Sequence, residues 1–169
     1  MSTSVSVNTY TYSVTFVADN VQRTLKDVIV QSGLDPAKYI NDWKSINRAI
    51  TAWMQSKHLQ TIILEIFDPS DDSLVGRWDI EITYGWSSSD TGSFWIDTDQ
   101  IKTAIKKAGV VPAACEYNVM FRNAPGRPDV EGWSPGSFRS TDGFVKQSLG
   151  STVEHSGLGA NASYYRKKA

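Results

Sequence analysis

The sequence predicts an α+β fold: an antiparallel sheet packs on about three helices, and a C-terminal segment wraps around this core. Three observations support the prediction. Apolar residues recur at helical spacing in three stretches, two neighbouring runs of strand length are joined by a turn, and residues 123–169 combine glycines with aromatic side chains. A chain of 169 residues that is 40% hydrophobic can bury one core, so we expect a single domain over residues 1–169.

The N-terminal region is predicted to be extended. Residues 3–16 alternate small polar residues with Val and Tyr, a pattern typical of an edge or tail strand. We therefore expect an extended N-terminal segment over residues 1–12, followed by a core over residues 13–122. A first helix is expected to begin after a cap at Asp19 or Asn20 and to end at Gly33. Its core face would comprise Val21, Leu25, Val28 and Ile29.

A second helix is predicted from Pro36 to about Lys57. Asp35 precedes the proline as an N-cap, and proline is favoured at the first helical position. One face of this helix carries an apolar and aromatic stripe, which predicts a central buried helix. The stripe consists of Ile40, Trp43, Ile46, Ile50, Trp53 and Met54.

A hairpin is predicted next. Residues 59–67 form an apolar run of strand length, residues 68–72 read as a turn, and residues 74–84 alternate apolar with polar side chains. One face of the second strand is therefore expected to be buried and the other to be wet. The residues expected on the wet face are Arg77, Asp79, Glu81 and Thr83.

The core is predicted to end with a loop, a helix and a strand. Residues 85–93 read as a loop, and residues 97–108 as a helix whose charges match the helix dipole. Residues 115–122 alternate again and predict a strand. The core face of this third helix would comprise Ile101, Ala104, Ile105 and Ala108.

The C-terminal segment, residues 123–169, differs in composition from the rest. It holds seven of the twelve glycines and three of the six prolines, yet it is rich in aromatic and aliphatic residues. Such a segment has surface to bury but little regular helix to offer, so we expect an ordered, extended wrapping segment. Short strands are expected near residues 137–139, 151–155 and 162–166.

No residue pattern predicts catalysis. Cys115 could act as a nucleophile, but a half-buried structural thiol is the better interpretation because neither histidine lies in a motif. Asp79 and Glu81 could form an acid–base pair, although carboxylates are also typical of a wet sheet face. The acidic cluster at residues 68–72 lacks the spacing of a calcium loop. We therefore expect no enzyme activity, no metal site and no cofactor.

Charge and hydropathy narrow the expected partners. The net charge of −1 provides no field that would attract nucleic acid or an anionic membrane. No stretch has the length and apolarity of a membrane span or a signal peptide, so the cytoplasm is the expected location. An alternative from another class stays open: a nucleic-acid or small-ligand binding module that uses Trp133 and the basic residues near the C-terminus.

Taken together, these elements and motifs resemble a bacterial HORMA domain of the kind found in CBASS antiphage operons. The resemblance covers essentially the whole chain and rests on overall likeness and element order, because none of the motifs is catalytic. The residues that carry it are 10–15, 77–80, 84–88 and 104–109 in the core, and 125–130, 132–134, 139–143 and 164–166 in the C-terminal segment.

The resemblance implies a two-state peptide-binding adaptor. In such proteins a closure-motif peptide pairs as a strand with the edge that precedes a C-terminal "safety belt", and the last strands of the belt pair on the opposite edge, here near residues 75–84. The edge strand would comprise Glu116, Tyr117, Asn118, Val119, Met120, Phe121 and Arg122. The belt would be residues 123–169, with Trp133, Phe138, Phe144, Val145, Val153, Tyr164 and Tyr165 as its anchoring side chains.

The resemblance also implies partner proteins. The closed, peptide-bound form would bind and activate a CD-NTase, an enzyme that makes a cyclic oligonucleotide second messenger. A AAA+ ATPase would pull on the N-terminal segment and reset the closed state. The residues expected to engage that ATPase are Ser2, Thr3, Ser4, Val5, Ser6 and Val7.

Overall fold

A sheet and several helices make up the part of the chain that the structure describes. This computed structural model describes residues 9–87, 94–96, 99–108 and 111–167. The helices are α1 (Tyr10–Gln31), α2 (Ala37–Asn41), α3 (Trp43–Gln55) and α4 (Asp99–Ala108). The strands are β1 (Leu59–Asp68), β2 (Ser73–Tyr84), β3 (Phe94–Ile96), β4 (Glu116–Asn123), β5 (Phe144–His155) and β6 (Leu158–Lys167). The predicted α+β class is therefore confirmed.

The strands form one antiparallel sheet in the order β3-β5-β6-β2-β1-β4. β1 and β2 form an antiparallel hairpin, as the sequence predicts, and lie between β6 and β4. β6 pairs with β2 and sets Leu158 opposite Tyr84 and Tyr165 opposite Arg77, which confirms the pairing that the resemblance implies for the last strands. β4 pairs with β1 and ends the described sheet on the other side.

The hydrophobic core lies between the sheet and the helices α1 and α3. The predicted face of α1 is buried, and Ile46, Ile50, Trp53 and Met54 are buried on α3. The side of β1 and β2 that faces the helices contributes Ile62, Leu64, Ile66, Trp78 and Ile80. Burial of these aliphatic and aromatic side chains holds the helical layer on the sheet.

The expected strand at residues 3–16 is wrong over the residues that the structure describes, because α1 begins at Tyr10. Thr9 caps this helix, and its side chain accepts a hydrogen bond from the Tyr12 amide. Val14, Val17 and Val21 are buried along one helical face, so tertiary burial outweighs the β propensity of the alternating Thr, Tyr and Val residues. Asp19 and Asn20 lie inside the helix rather than at its start. Gly33 follows α1 with a positive φ of 87°, as expected for a residue that ends a helix.

The long second helix is two helices. The helix is interrupted at Asp42, which lies between α2 and α3. Its φ of −90° and ψ of 1° depart from α-helical values. The break turns Ile40 outward, where it is 49% exposed rather than part of the buried stripe. Asp35 accepts a hydrogen bond from the Ala37 amide, so the expected turn chemistry ahead of α2 is present.

The face of β2 that was expected to be wet is partly covered. Arg77 and Asp79 are 5% and 1% exposed and form an ion pair with each other. The C-terminal segment crosses this side of the sheet and places Phe138 against Arg77, which excludes water. We call this side of the sheet, opposite the helices, the outer face.

The C-terminal segment contains two of the three expected strands, and both are longer than expected. No strand forms at residues 137–139, while β5 and β6 join into a hairpin that extends through the expected strands near 151–155 and 162–166. We call residues 124–143 the wrap and residues 144–167 the hairpin. The expected helix at 97–108 is confirmed over its described part as α4, and the expected strand at 115–122 is confirmed as β4. Residues 97–98 and residues 88–93 of the predicted loop lie outside the described residues. The strand β3 was not predicted.

Candidate functional site

The edge of β4 that faces away from β1 is the most unusual surface of the described chain. The Ala124 amide donates to the His58 carbonyl on the β1 side, whereas the Tyr117 carbonyl accepts from Lys38 Nζ at 3.1 Å. Backbone groups of alternate residues point to opposite edges of a strand. The N–H and C=O groups of Val119 and Phe121 therefore point to the outer edge, and within the described residues they have no hydrogen-bond partner.

The wrap encloses this edge without pairing to it. The wrap begins on the helix side of the sheet. It then passes over the unpaired edge of β4 and continues on the outer face. A Cβ added at Gly136 would lie 3.6 Å from the Met120 methyl group, so the crossing chain passes close to β4. The unpaired backbone N–H and C=O groups of such an edge can form hydrogen bonds with an added strand beneath the covering segment.

Two clefts lie between β4 and the wrap. The first cleft has a volume of about 370 Å³ and the second about 250 Å³. Val119 and Trp133 line both, so the clefts adjoin along the strand. The first also contains the buried Oδ1 of Asn123, an acceptor without a partner among the described residues. An unsatisfied buried acceptor beside an open strand edge is suited to a ligand N–H donor.

On the helix side, aromatic packing anchors the wrap. The Trp133 ring stacks edge-on against Phe121, with centroids 4.7 Å apart, and against Trp53 at 6.5 Å. Its indole N–H donates to the Ser45 carbonyl at 3.2 Å. The indole N–H of Trp53 in turn donates to the Pro128 carbonyl at 2.7 Å. We call Trp53, Phe121 and Trp133 the aromatic cluster.

On the outer face, ion pairing anchors the wrap. The Arg139 guanidinium and its backbone amide each donate to the Glu65 carboxylate at 2.7 Å, and a further guanidinium nitrogen lies 2.6 Å from Asp72. Glu65 is completely buried on β1. Burial lowers the pKa of the Arg139 guanidinium, but hydrogen bonds to Asp72 and Glu65 more than offset this, so the net shift is upward. The Arg139 guanidinium also lies 3.7 Å above the Phe67 ring.

The structure brings together only some of the predicted site residues. All seven edge-strand positions, Glu116 to Arg122, lie on β4 or at its start. Trp133 and Phe138 lie against that strand in the wrap. The other five anchoring residues, Phe144, Val145, Val153, Tyr164 and Tyr165, lie in the hairpin beyond β2, and Tyr164 stacks on Trp78 at 5.0 Å. Ser2 to Val7 lie outside the described residues.

Sequence reasoning missed Lys38, Asn123, Glu65 and Arg139. Only Glu65 carried a signal, because it is a single charge inside the apolar run at residues 59–67. A charge in such a run indicates either an error in the strand assignment or a partner from elsewhere in the chain. Trp133, on which the nucleic-acid alternative depends, is half-buried and packs edge-on against two aromatic rings.

A second junction joins α1 to the end of the hairpin. Ser13 Oγ lies 2.6 Å from His155 Nδ1 and accepts from the Trp86 indole at 2.9 Å. Both Ser13 and His155 are buried, so this contact lies in the interior between α1 and the hairpin. Cys115 is likewise buried, and burial raises the pKa of its thiol.

The described residues form neither a cluster of metal-ligating side chains nor a membrane-spanning helix. No group of three or more His, Cys, Asp or Glu side chains there is arranged to hold a metal ion. No helix in the same ranges has the length and apolarity needed to cross a bilayer.

Solved structures share this fold at low sequence identity. A chain in the structure described as "Crystal Structure of Mitotic Checkpoint Complex" superposes with a TM-score of 0.75 at 14% identity, over 93% of this chain and 99% of that one. C. elegans HTP-2 bound to the HIM-3 closure motif gives 0.67 at 13% identity, over 96% and 93%. C. elegans HTP-1 bound to the same motif gives 0.68 at 11% identity, over 95% and 92%. No curated protein matches.

These likenesses define the class of protein as a HORMA-like α+β domain. The family described as "Bacterial HORMA domain 2" matches residues 2–168. The chain therefore belongs to the bacterial HORMA domain 2 family.

Proposed function

We propose that the protein is a non-catalytic adaptor that binds an extended closure-motif peptide along the open edge of β4. The observation that carries the proposal is the unpaired N–H and C=O groups of Val119 and Phe121 beneath the wrap. A peptide strand placed there would complete the β4 ladder. The two clefts that flank Trp133 would receive its side chains, and Asn123 Oδ1 would accept a hydrogen bond from it.

The neighbouring structures support a peptide ligand. HTP-2 and HTP-1, which share the fold, are both described as bound to a closure motif. In the present protein the hairpin already pairs with β2 and the wrap already encloses β4, an arrangement suited to holding a threaded peptide. Residues 123–169 would then act as the safety belt. Because the wrap has to open before the peptide leaves, we expect slow dissociation.

The downstream function that we propose is signalling in bacterial antiphage defence of the CBASS type. The peptide-bound form would bind and activate a CD-NTase that makes a cyclic oligonucleotide, in the bacterial cytoplasm. A AAA+ ATPase would pull on Ser2 to Val7 and the rest of the N-terminal segment to reset the protein. The contact of Ser13 with His155 supports this route, because force applied to α1 would act directly on the end of the hairpin.

A pair of proline variants tests the edge assignment on the full chain. The Val119 N–H points to the open edge and the Met120 N–H points to β1, so only Val119→Pro removes a donor from the proposed site without breaking the β1–β4 ladder. Peptides would first be selected from a random phage-displayed library on the wild type. Their affinities would then be measured by fluorescence polarisation.

We expect Val119→Pro to weaken the selected peptides at least tenfold at nearly unchanged melting temperature, and Val119→Ala to retain binding. Met120→Pro should lower the melting temperature itself. Equal affinity of Val119→Pro and wild type would overturn the edge assignment. Failure of the library to enrich any peptide on the wild type would count against the proposed function as a whole.

A further inference from the structure

Lys38 closes one end of the open β4 edge. Its Nζ donates to the Tyr117 carbonyl at 3.1 Å and to Asn118 Oδ1 at 3.2 Å. The Tyr117 carbonyl points to the edge remote from β1, as do the backbone groups of Val119 and Phe121. Lys38 Nζ reaches this carbonyl from that edge. The ammonium therefore occupies the position where an added strand would place its next N–H donor.

No carboxylate among the described residues forms an ion pair with Lys38, and Asp42 lines the same cleft. The two partners of Lys38 are a neutral carbonyl and a neutral amide oxygen. An ammonium has three donors, and these two contacts use two of them. Lys38 also lines the second cleft, so a ligand in that cleft meets an exposed positive charge.

The other end of the groove combines aromatic and apolar side chains with Asn123 and Arg127. The first cleft is lined by the aromatic cluster together with Val119, Met120 and Phe138. Phe121 and Tyr117 are four residues apart on β4, a distance of roughly 14 Å at the rise of an antiparallel strand. Four is an even number, so two peptide residues at this spacing would also face the same side of the sheet.

From these positions we infer that the peptide carries a bulky apolar residue in the aromatic cluster and, about four positions away, a carboxylate that binds Lys38. This inference rests on the proposed function and specifies its ligand. The carboxylate is either an Asp or Glu side chain or the free C-terminus of the peptide. Asp42 lines the same cleft and opposes an anion there, so the preference depends on Lys38.

Parallel library selections on the full chain test the inference. The same random library is panned on wild type, Lys38→Glu and Lys44→Glu. The Lys44 variant makes the same charge change on an exposed residue of the next helix that lines neither cleft. Wild type and Lys44→Glu should enrich an acid about four positions from a bulky apolar residue. Lys38→Glu should enrich a basic residue at that position.

Affinities of defined peptides then give the magnitude. A selected peptide is compared with its Glu→Gln form and with its C-terminally amidated form by fluorescence polarisation. We expect the wild type to lose about five- to tenfold in affinity when the binding carboxylate is neutralised, and Lys38→Glu to lose nothing. Whichever of the two changes weakens binding identifies the source of the carboxylate. Asp42→Asn should strengthen the preference.

The outcomes separate the two proposals. Enrichment of peptides without an acid on the wild type, or the same sequences on Lys38→Glu, would overturn the inference and leave the peptide-binding function in place. Absence of enrichment on the wild type, with folding verified by its thermal transition, would overturn both.

Discussion

The two halves of the C-terminal segment are held to the core in different ways. The hairpin is joined to β2 by a continuous antiparallel ladder that sets residues 158–165 opposite residues 77–84. The wrap has no such ladder and depends on a few side chains, chiefly Trp133 and Arg139. Backbone pairing depends little on side-chain identity, whereas the loss of one side chain removes a large part of what holds the wrap. The wrap is therefore suited to release and the hairpin to retention.

The largest effect is expected from breaking the hairpin. β6 lies between β2 and β5, so the Ala162 N–H points to a paired strand whichever of its two neighbours it faces. Ala162→Pro removes this donor and should cost about 3 kcal/mol or more of the free energy of unfolding. Urea denaturation would measure it. Ala162→Gly keeps the N–H and should cost only about 1 kcal/mol, and similar losses in both variants would contradict a backbone role.

The next effect is expected from Arg139→Ala. This change leaves the buried Glu65 carboxylate unpaired, which should cost about 3 kcal/mol and loosen the wrap while the hairpin stays paired. Limited proteolysis should then cut within residues 124–143 first, and selected peptides should dissociate faster. Arg166→Ala, at an exposed residue of β6, is the control.

A double variant isolates the ion pair. If the cost arises from the uncompensated charge, Glu65→Gln should recover part of the stability lost in Arg139→Ala. A double variant less stable than either single one would show that the two residues act separately.

A smaller effect is expected from Trp133. Replacing the indole by Leu removes its hydrogen bond to the Ser45 carbonyl and its edge-on contacts, but retains an apolar side chain. We expect a loss of about 1–2 kcal/mol and weaker peptide capture. Trp43→Leu, at a half-buried residue outside both clefts, should lose stability without weakening capture. Equal loss of capture in both variants would remove Trp133 from the site.

The sequence predicts the elements whose pattern is local. The stripe of α1 from Val21 to Ile29, the β1–β2 hairpin and α4 follow from periodicities of 3.6 and 2, which report burial of one face. The residues that it leaves unpredicted depend on distant contacts. Arg139 and Glu65 are 74 positions apart, and Arg77 is buried only because Phe138 and Tyr165 cover it.

The same limit explains the errors at the ends of elements. The alternation around Tyr10 is compatible with a strand, and only the core against which Val14 and Val17 pack selects a helix. The residue pattern of β4 does not show which edge is open, since no pattern within one strand distinguishes its paired edge from its unpaired edge. The contact of Lys38 with the edge of β4 cannot be predicted from the sequence for a related reason. It depends on where α2 ends relative to β4.

The smallest effect concerns the end of the hairpin that faces α1. The Tyr10 hydroxyl donates to the Met54 carbonyl at 2.6 Å, and its ring packs edge-on against Trp86, which also contacts Ser13 beside His155. Burial raises the pKa of Tyr10 from 10.0 to about 12. The folded protein thus holds this proton more tightly than the unfolded chain. The associated stability is complete below pH 10 and is lost as the pH rises toward 12.

The melting temperature should therefore fall between about pH 9.5 and 11. Burial also raises the pKa values of Tyr39 and Tyr84, so Tyr10→Phe, which has no proton to lose at position 10, should reduce this fall without abolishing it. Proteolysis at alkaline pH should begin near the α1 junction and leave the wrap protected, because Arg139 keeps its charge throughout this range. Cleavage within residues 124–143 before the α1 junction at pH 11 would show that the wrap and the hairpin end open together. The contrast between a ladder and single anchors would then not describe how this segment opens.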